Sequence, residues 1–279
     1  MSAGERQVRA AWLWARDVIT RPYALEEHIQ VFTDAVVSRR HRMNLPARYA
    51  TAGRVSEISY GSNPTENQVW GRAAAAILHG DSTRVPTALL GANRPTGYPH
   101  IFDGDPGFLS LIRAVLERRR PKVVVETGVA NGASSALILS SLTTFGTGRL
   151  YSIDACEAER MGGRTGQYVD ETLRGRWELV AGTSRERLEP LLRRVGPVDF
   201  FIHDSLHTFR NMMFELNTAI RYAREGGCIF LADDIEKHTA FPEFVGRAGL
   251  SWEIYSHEAK SGLFGIAYSP TTDPRGETL

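Results

Sequence analysis

Five side chains able to hold a cation or move a proton fall in two short stretches: His203, Asp204 and His207 in HDSLH, and Asp233 and Asp234 in FLADDI. Carboxylates set side by side repel one another unless a cation, a proton or an arginine stands between them. Asp204, Asp233 and Asp234 offer oxygen only, which suits a hard ion such as Mg²⁺ that keeps some waters and takes substrate oxygens elsewhere. An ion of that kind binds two hydroxyls of a substrate and lowers the pKa of the one that reacts. His207 follows Asp204 by three residues and is placed to take the proton. The same residues admit a structural reading, with both imidazoles internally satisfied and the aspartates capping helices. That reading leaves the Asp233–Asp234 pair unexplained.

A second group lies upstream, in KVVVETGVANGASS from Lys122 to Ser135. The run from Val123 to Glu126 is apolar and ends in a carboxylate, as a strand buried on both faces reads. Gly128 and Gly132 let the backbone turn sharply and come close to a ligand. Asn131 and Ser134 flank the opening of a helix whose free N–H groups aim into that turn. The E-x-G-x-x-x-G interval departs from the G-x-G-x-x-G that seats a pyrophosphate. Glu126 would repel a pyrophosphate and favour an ammonium or a ribose. S-adenosylmethionine carries both of the latter and no phosphate.

These groups must be positioned by the elements around them. From Asp105 onward, apolar runs alternate with helical stripes, the first stripe being Leu109, Ile112, Val115 and Leu116. The pattern predicts strands at 150–154, 177–180, 198–202 and 228–232, and a closing pair at 252–255 and 264–268. It predicts helices over 133–141, 184–194, 207–224 and 241–248, with a loop and short helix over 162–174. Such alternation implies an α/β fold, a doubly wound and mostly parallel seven-stranded Rossmann-like sheet with helices on both faces. Ligands of these sheets collect at the carboxyl ends of the strands. Asp154 ends the second strand, where an acid can accept from both ribose hydroxyls. Thr183 and Ser184 follow the third, to meet the adenine or to cap the next helix.

Residues 1–104 read differently, as an N-terminal helical and lid region concerned with substrate or oligomer contacts, ahead of the catalytic domain at 105–279. A helical stripe runs through Val8, Ala11, Trp12 and Ala15, and a second helix over 24–42 carries Leu25, Ile29, Phe32 and Val36 on one side. The stretch 45–61 reads as irregular, a helix follows through Leu78, and 80–104 is rich in Pro and Gly. Tyr98, His100 and Phe102 in that loop are positioned to pack on the catalytic domain or touch a substrate.

The 279 residues are 42% hydrophobic and 23% charged, an ordinary balance for a globular chain. A net charge of +1 supplies no field to draw nucleic acid or an anionic membrane. Cys156 and Cys228 form no ligand motif and read as reduced thiols, which together with the lack of a leader or a spanning segment points to the cytoplasm.

The segments VETGVANGAS, YSIDA, FIHDSLHTF and GGCIFLADDI together resemble class I S-adenosylmethionine-dependent methyltransferases. Within that group the chain is similar to the macrocin O-methyltransferase type, which modifies sugars and hydroxylated natural products. The resemblance covers about Asp105 to Tyr268, and D-x-x-H followed by Asp-Asp is its most specific piece. It implies a cofactor site of Glu126, Gly128 and Asp154, to which Asn131, Ser134, Thr183, Ser184 and Asp204 are added as candidates from their places at the strand ends. It further implies Mg²⁺ on Asp204, Asp233 and Asp234, with His207 as catalytic base beside Asp204. Many members have Asp-Gly-Asp-His where this chain has Ser205 and Leu206, and relatives with HDSLHT often carry Asn after Asp-Asp where Lys237-His238 stands.

The expected activity is therefore methylation of a hydroxyl on a small molecule, by a homo-oligomer that acts on neither nucleic acid nor membrane. Competing readings are a metal-free methyltransferase of a nitrogen or carboxylate, a nicotinamide-dependent dehydrogenase on a related fold, and a cofactor-binding scaffold without turnover.

Overall fold

The computed structural model describes residues 29–33, 55–57, 105–156, 164–257 and 260–269. In chain order the strands are β1 (Val55–Glu57), β2 (Val123–Thr127), β3 (Arg149–Asp154), β4 (Trp177–Ala181), β5 (Phe200–His203), β6 (Ile229–Ala232), β7 (Ser251–His257) and β8 (Lys260–Tyr268). The helices are α1 (Pro106–Arg119), α2 (Ala133–Phe145), α3 (Ser184–Val195), α4 (Phe209–Ile220) and α5 (Ala240–Ala248). The eight strands form one sheet in the order β1-β7-β8-β6-β5-β2-β3-β4. All pairs are parallel except those that β8 makes with β6 and β7.

Strand alternation sorts the core into two layers. Val124, Leu150, Phe200, Ile202, Ile229 and Leu231 face α1 and α2, where Leu109, Ile112, Leu116, Leu137 and Leu142 meet them. Val125, Ile153, Phe201 and Phe230 face the opposite layer, built from Leu188, Leu192, Met212, Leu216, Phe241 and Phe244 of α3, α4 and α5. Both faces of β2, β5 and β6 are thus covered, which is why these strands are unbroken apolar runs. From β2 the chain winds outward through β3 and β4, then returns to the other side for β5 and β6. The order reverses between β2 and β5, and the crevice beyond their carboxyl ends is where such a sheet takes its ligand.

The structure departs from the sequence pattern at three places. The stretch 45–61 is not wholly irregular, since Val55–Glu57 joins the sheet edge in parallel with β7. Three residues are too few for a period to show. The fourth expected strand begins at Phe200 instead of Val198, because the Asp199 carboxylate accepts from the Lys122 and Val123 amides at 2.9 and 2.8 Å. Val198 makes only an isolated bridge to Ala223. The long helix expected from His207 opens at Phe209, capped by the Thr208 side chain on the Asn211 amide. His207 therefore lies in the loop and not in the helix.

The chain divides into Met1–Met43 and Asn44–Leu279. In the first unit, 29–33 is helical, with Ile29 and Phe32 exposed and Gln30 buried. The other readings made for residues 1–104, including the domain boundary at 104, fall outside the described residues. Among the described residues no helix is long and apolar enough to cross a membrane. Both cysteines are free, and burial pushes the Cys228 thiol far up.

Candidate active site

The turn after β2 is built around Gly128. Its φ is +84°, and a Cβ there would stand 2.0 Å from the carbonyl oxygen of Asp204. The glycine turn and the loop after β5 are thus in van der Waals contact, and only a residue without a side chain allows it. Gly132, at φ +88°, opens α2 with Gly166 pressed against its Cα face. Asp154, at the tip of β3, accepts from the Val129 and Ala130 amides at 2.7 and 3.1 Å through one carboxylate oxygen. Its other oxygen takes the Cys156 amide at 2.5 Å. Asp154 thus shapes the turn, and as a half-buried carboxylate it has lone pairs left for a ligand. Asn131 is fully buried, takes the Gln167 side-chain amide at 2.6 Å, and among the described residues finds no hydrogen-bond partner for its own Nδ2.

Glu126 is sealed from solvent beneath this turn. The hydroxyls of Ser134, Ser135 and Ser152 all donate to its carboxylate, the last two at 2.6 and 2.8 Å. Trp177 donates in turn to Ser152 at 2.9 Å. Burial raises the Glu126 carboxyl above its usual range; the serine hydroxyls oppose this and the Asp154 charge adds to it. Glu126 and Ser134 are therefore engaged with each other under the turn. At the tip of β4, Thr183 caps α3 in a capping box with Glu186, and Ser184 donates to Asn211 at 3.2 Å. Capping is the role that the hydroxyl of Thr183 fills.

The loops after β5 and β6 come together, and three of their side chains converge. Ligand atoms of Asp204, His207 and Asp233 lie within 4.8 Å of one another. Asp233 is 5% exposed and accepts the Asp234 amide at 2.8 Å. Asp234 itself sits in the left-handed region, at φ 53°, and starts a 3-10 turn, Ile235–Lys237. That turn brings the Lys237 ammonium onto the Asp234 carboxylate. His207 Nε2 stands 3.7 Å from Asp204 and 3.8 Å from Asp234.

Behind the loop lies a network that sequence reasoning missed. Glu215 of α4 is fully buried and receives the Thr127 hydroxyl at 2.5 Å, the Ser205 hydroxyl at 2.6 Å and the Asn211 amide at 2.9 Å. Its other contact is His203 Nδ1, at 2.6 Å. Burial pushes the Glu215 carboxyl up, but the His203 charge and the hydroxyl donors prevail and hold it at about 2. The ends of β2 and β5 and the start of α4 are thereby tied to one carboxylate. A glutamate lying between Met212 and Leu216 on the buried stripe of α4 was the available signal. His238 is also buried and packs edge-on against Phe209. Burial foremost, and then the nearby His203 charge, lower its imidazole to about 4.

Residues 125–235 match a protein family described as a methyltransferase domain. Residues 125–235 thus carry a methyltransferase domain, set on the Rossmann-like sheet described above. The O-methyltransferase TomG from Streptomyces achromogenes, involved in tomaymycin synthesis and solved with SAM, is similar at 17% identity and a TM-score of 0.51. The match covers 66% of this chain and 88% of that one, and shows a shared fold. An O-methyltransferase from Bacillus cereus in complex with SAH has 15% identity and a TM-score of 0.49, over 71% of this chain and 90% of that one. No curated protein matches the sequence. The matched segment runs from β2 to just past β6, and so includes the glycine turn, Asp154 and both acidic loops.

Proposed function

We propose that this methyltransferase moves the methyl group of S-adenosylmethionine to a hydroxyl of a small molecule, a sugar or secondary metabolite, with Mg²⁺ assisting. The observation that carries the reading is the contact between Gly128 and Asp204. It sets a cofactor turn directly against a cluster of carboxylates and an imidazole. Gly128 gives the cofactor close approach to the backbone, Asp154 is available to its ribose, and Asn131 offers a buried amide with hydrogen-bonding capacity to spare. Glu126, Ser134, Thr183 and Ser184 support that pocket from below and beside it.

The carboxylates of Asp204 and Asp233, with ligand atoms within 4.8 Å of one another and beside His207, fit one divalent ion. When bound, the ion would lower the pKa of an acceptor hydroxyl. Asp204 and Asp233 would hold it, and His207 would take the hydroxyl proton at Nε2. Methyl transfer is an in-line displacement, so alignment of acceptor and sulfonium is the rest of what the protein supplies. A net charge of +1 favours a small acceptor over nucleic acid. Exposed Ile29, Val31 and Phe32 favour a homo-oligomer that covers them.

Calorimetry with S-adenosylhomocysteine and with NAD tests the cofactor, and Asp154→Ala tests its seat. We expect binding of the first ligand alone, weakened roughly 5- to 150-fold in the variant by three amides losing their acceptor. Binding of NAD alone would return the dehydrogenase reading. Methyl transfer to a panel of hydroxylated compounds, with Mg²⁺ and with EDTA, then tests the reaction.

A further inference from the structure

We propose that Lys237 is a built-in counter-cation that withdraws Asp234 from the divalent-ion site and weakens the ion's binding. The inference rests on the Mg²⁺ site proposed above and concerns how tightly that site works. Three carboxylates end up together after β5 and β6, yet the group whose ligand atoms converge is Asp204, His207 and Asp233. Asp234 stands at the edge of that group, one carboxylate oxygen 3.8 Å from His207 Nε2, and the same oxygen pairs with the Lys237 ammonium. Its side chain is 15% exposed, so it has lost most of its hydration and needs a compensating charge.

The lysine is delivered by the backbone. Asp234 adopts φ 53° and the 3-10 turn Ile235–Lys237 follows at once. Ile235 has no exposure, and the Glu236 carboxylate accepts the Leu263 amide at 2.9 Å, so the first two residues of the turn are anchored against the rest of the domain. Lys237 then stands three residues past Asp234 with its side chain 40% exposed, close enough to pair. In formal charge, three aspartates and one lysine leave two net negative charges where three would otherwise attract the ion. An ammonium held beside the ion's ligands opposes the ion's charge and would weaken its binding roughly tenfold.

The test uses the full-length protein and MgCl₂ alone, by isothermal titration, in the wild type, Lys237→Met, Lys237→Arg and the double variant Lys237→Met with Asp233→Asn. We expect Lys237→Met to bind Mg²⁺ roughly tenfold more tightly, Lys237→Arg to stay within about twofold of wild type, and the double variant to lose binding. Wild-type binding with no gain in Lys237→Met would overturn the role of Lys237 and leave the metal site standing. Absence of Mg²⁺ binding in every protein that still binds S-adenosylhomocysteine would overturn both.

Discussion

His203 Nδ1 and Glu215 Oε2 meet at 2.6 Å, and neither side chain has any exposure to solvent. The pair joins β5 to α4 directly beneath the loop that carries Asp204 and His207. Removing one partner leaves the other buried without its complement, at a cost of about 3–5 kcal/mol. Glu215→Ala should lose stability in that range in urea unfolding, and Glu215→Gln less, because its amide oxygen still accepts from Thr127 or Ser205. A loss below 1 kcal/mol for Glu215→Ala would mean that the network is not what holds the loop.

His238 gives the molecule an acid-sensitive window. Its imidazole titrates near 4 in the folded chain, against 6.5 for the free side chain. Between these values the unfolded chain binds more protons than the folded one, so stability falls as pH drops from 6.5 toward 4 and is unaffected above. At pH 5 the loss amounts to about 2 kcal/mol. Unfolding curves at pH 7.5 and pH 5 should therefore draw closer together in His238→Gln than in the wild type. Equal pH dependence in the two proteins would show that the imidazole protonates freely in the native state.

Much of this arrangement was legible in the residues, and the gaps have identifiable causes. Apolar runs and glycine spacing placed β2, the turn and α2, because burial on both faces and positive φ each restrict residue choice locally. Asp204 and Asp233 were legible as neighbours because strand order follows from the winding rule. Their exact partners were not. Whether Asp234 or His207 completes the cluster depends on one left-handed residue and the 3-10 turn after it, a detail that no periodicity reports. Glu215 was missed for a different reason: its partners include residues from the ends of β2 and β5, the loop after β5 and α4, and only the fold brings those together.

Gly128 is the position where backbone geometry and site geometry coincide. Alanine there meets the Asp204 carbonyl oxygen at 2.0 Å while holding φ at +84°. Relief requires the turn to move away from the loop after β5, separating the two halves of the site. Gly128→Ala should lose S-adenosylhomocysteine binding by calorimetry and about 1–3 kcal/mol of stability from backbone strain alone. Native affinity in this variant would show that the contact between turn and loop is dispensable.

His207 stands where two roles compete for one nitrogen. Its Nε2 lies 3.7 Å from Asp204 and 3.8 Å from Asp234, and a ring atom also belongs to the converging cluster. A nitrogen that ligates an ion has no lone pair for a proton, so base and ligand leave different traces. As base, His207→Ala should lower turnover by roughly 10²–10⁴-fold with Mg²⁺ affinity held near wild type, because Asp204 and Asp233 remain. As ligand, the same change should weaken Mg²⁺ in calorimetry, and turnover should recover at high Mg²⁺. Single-turnover methyl transfer at saturating cofactor, followed across a Mg²⁺ series, separates the two, and we expect a deficit that added Mg²⁺ does not repair.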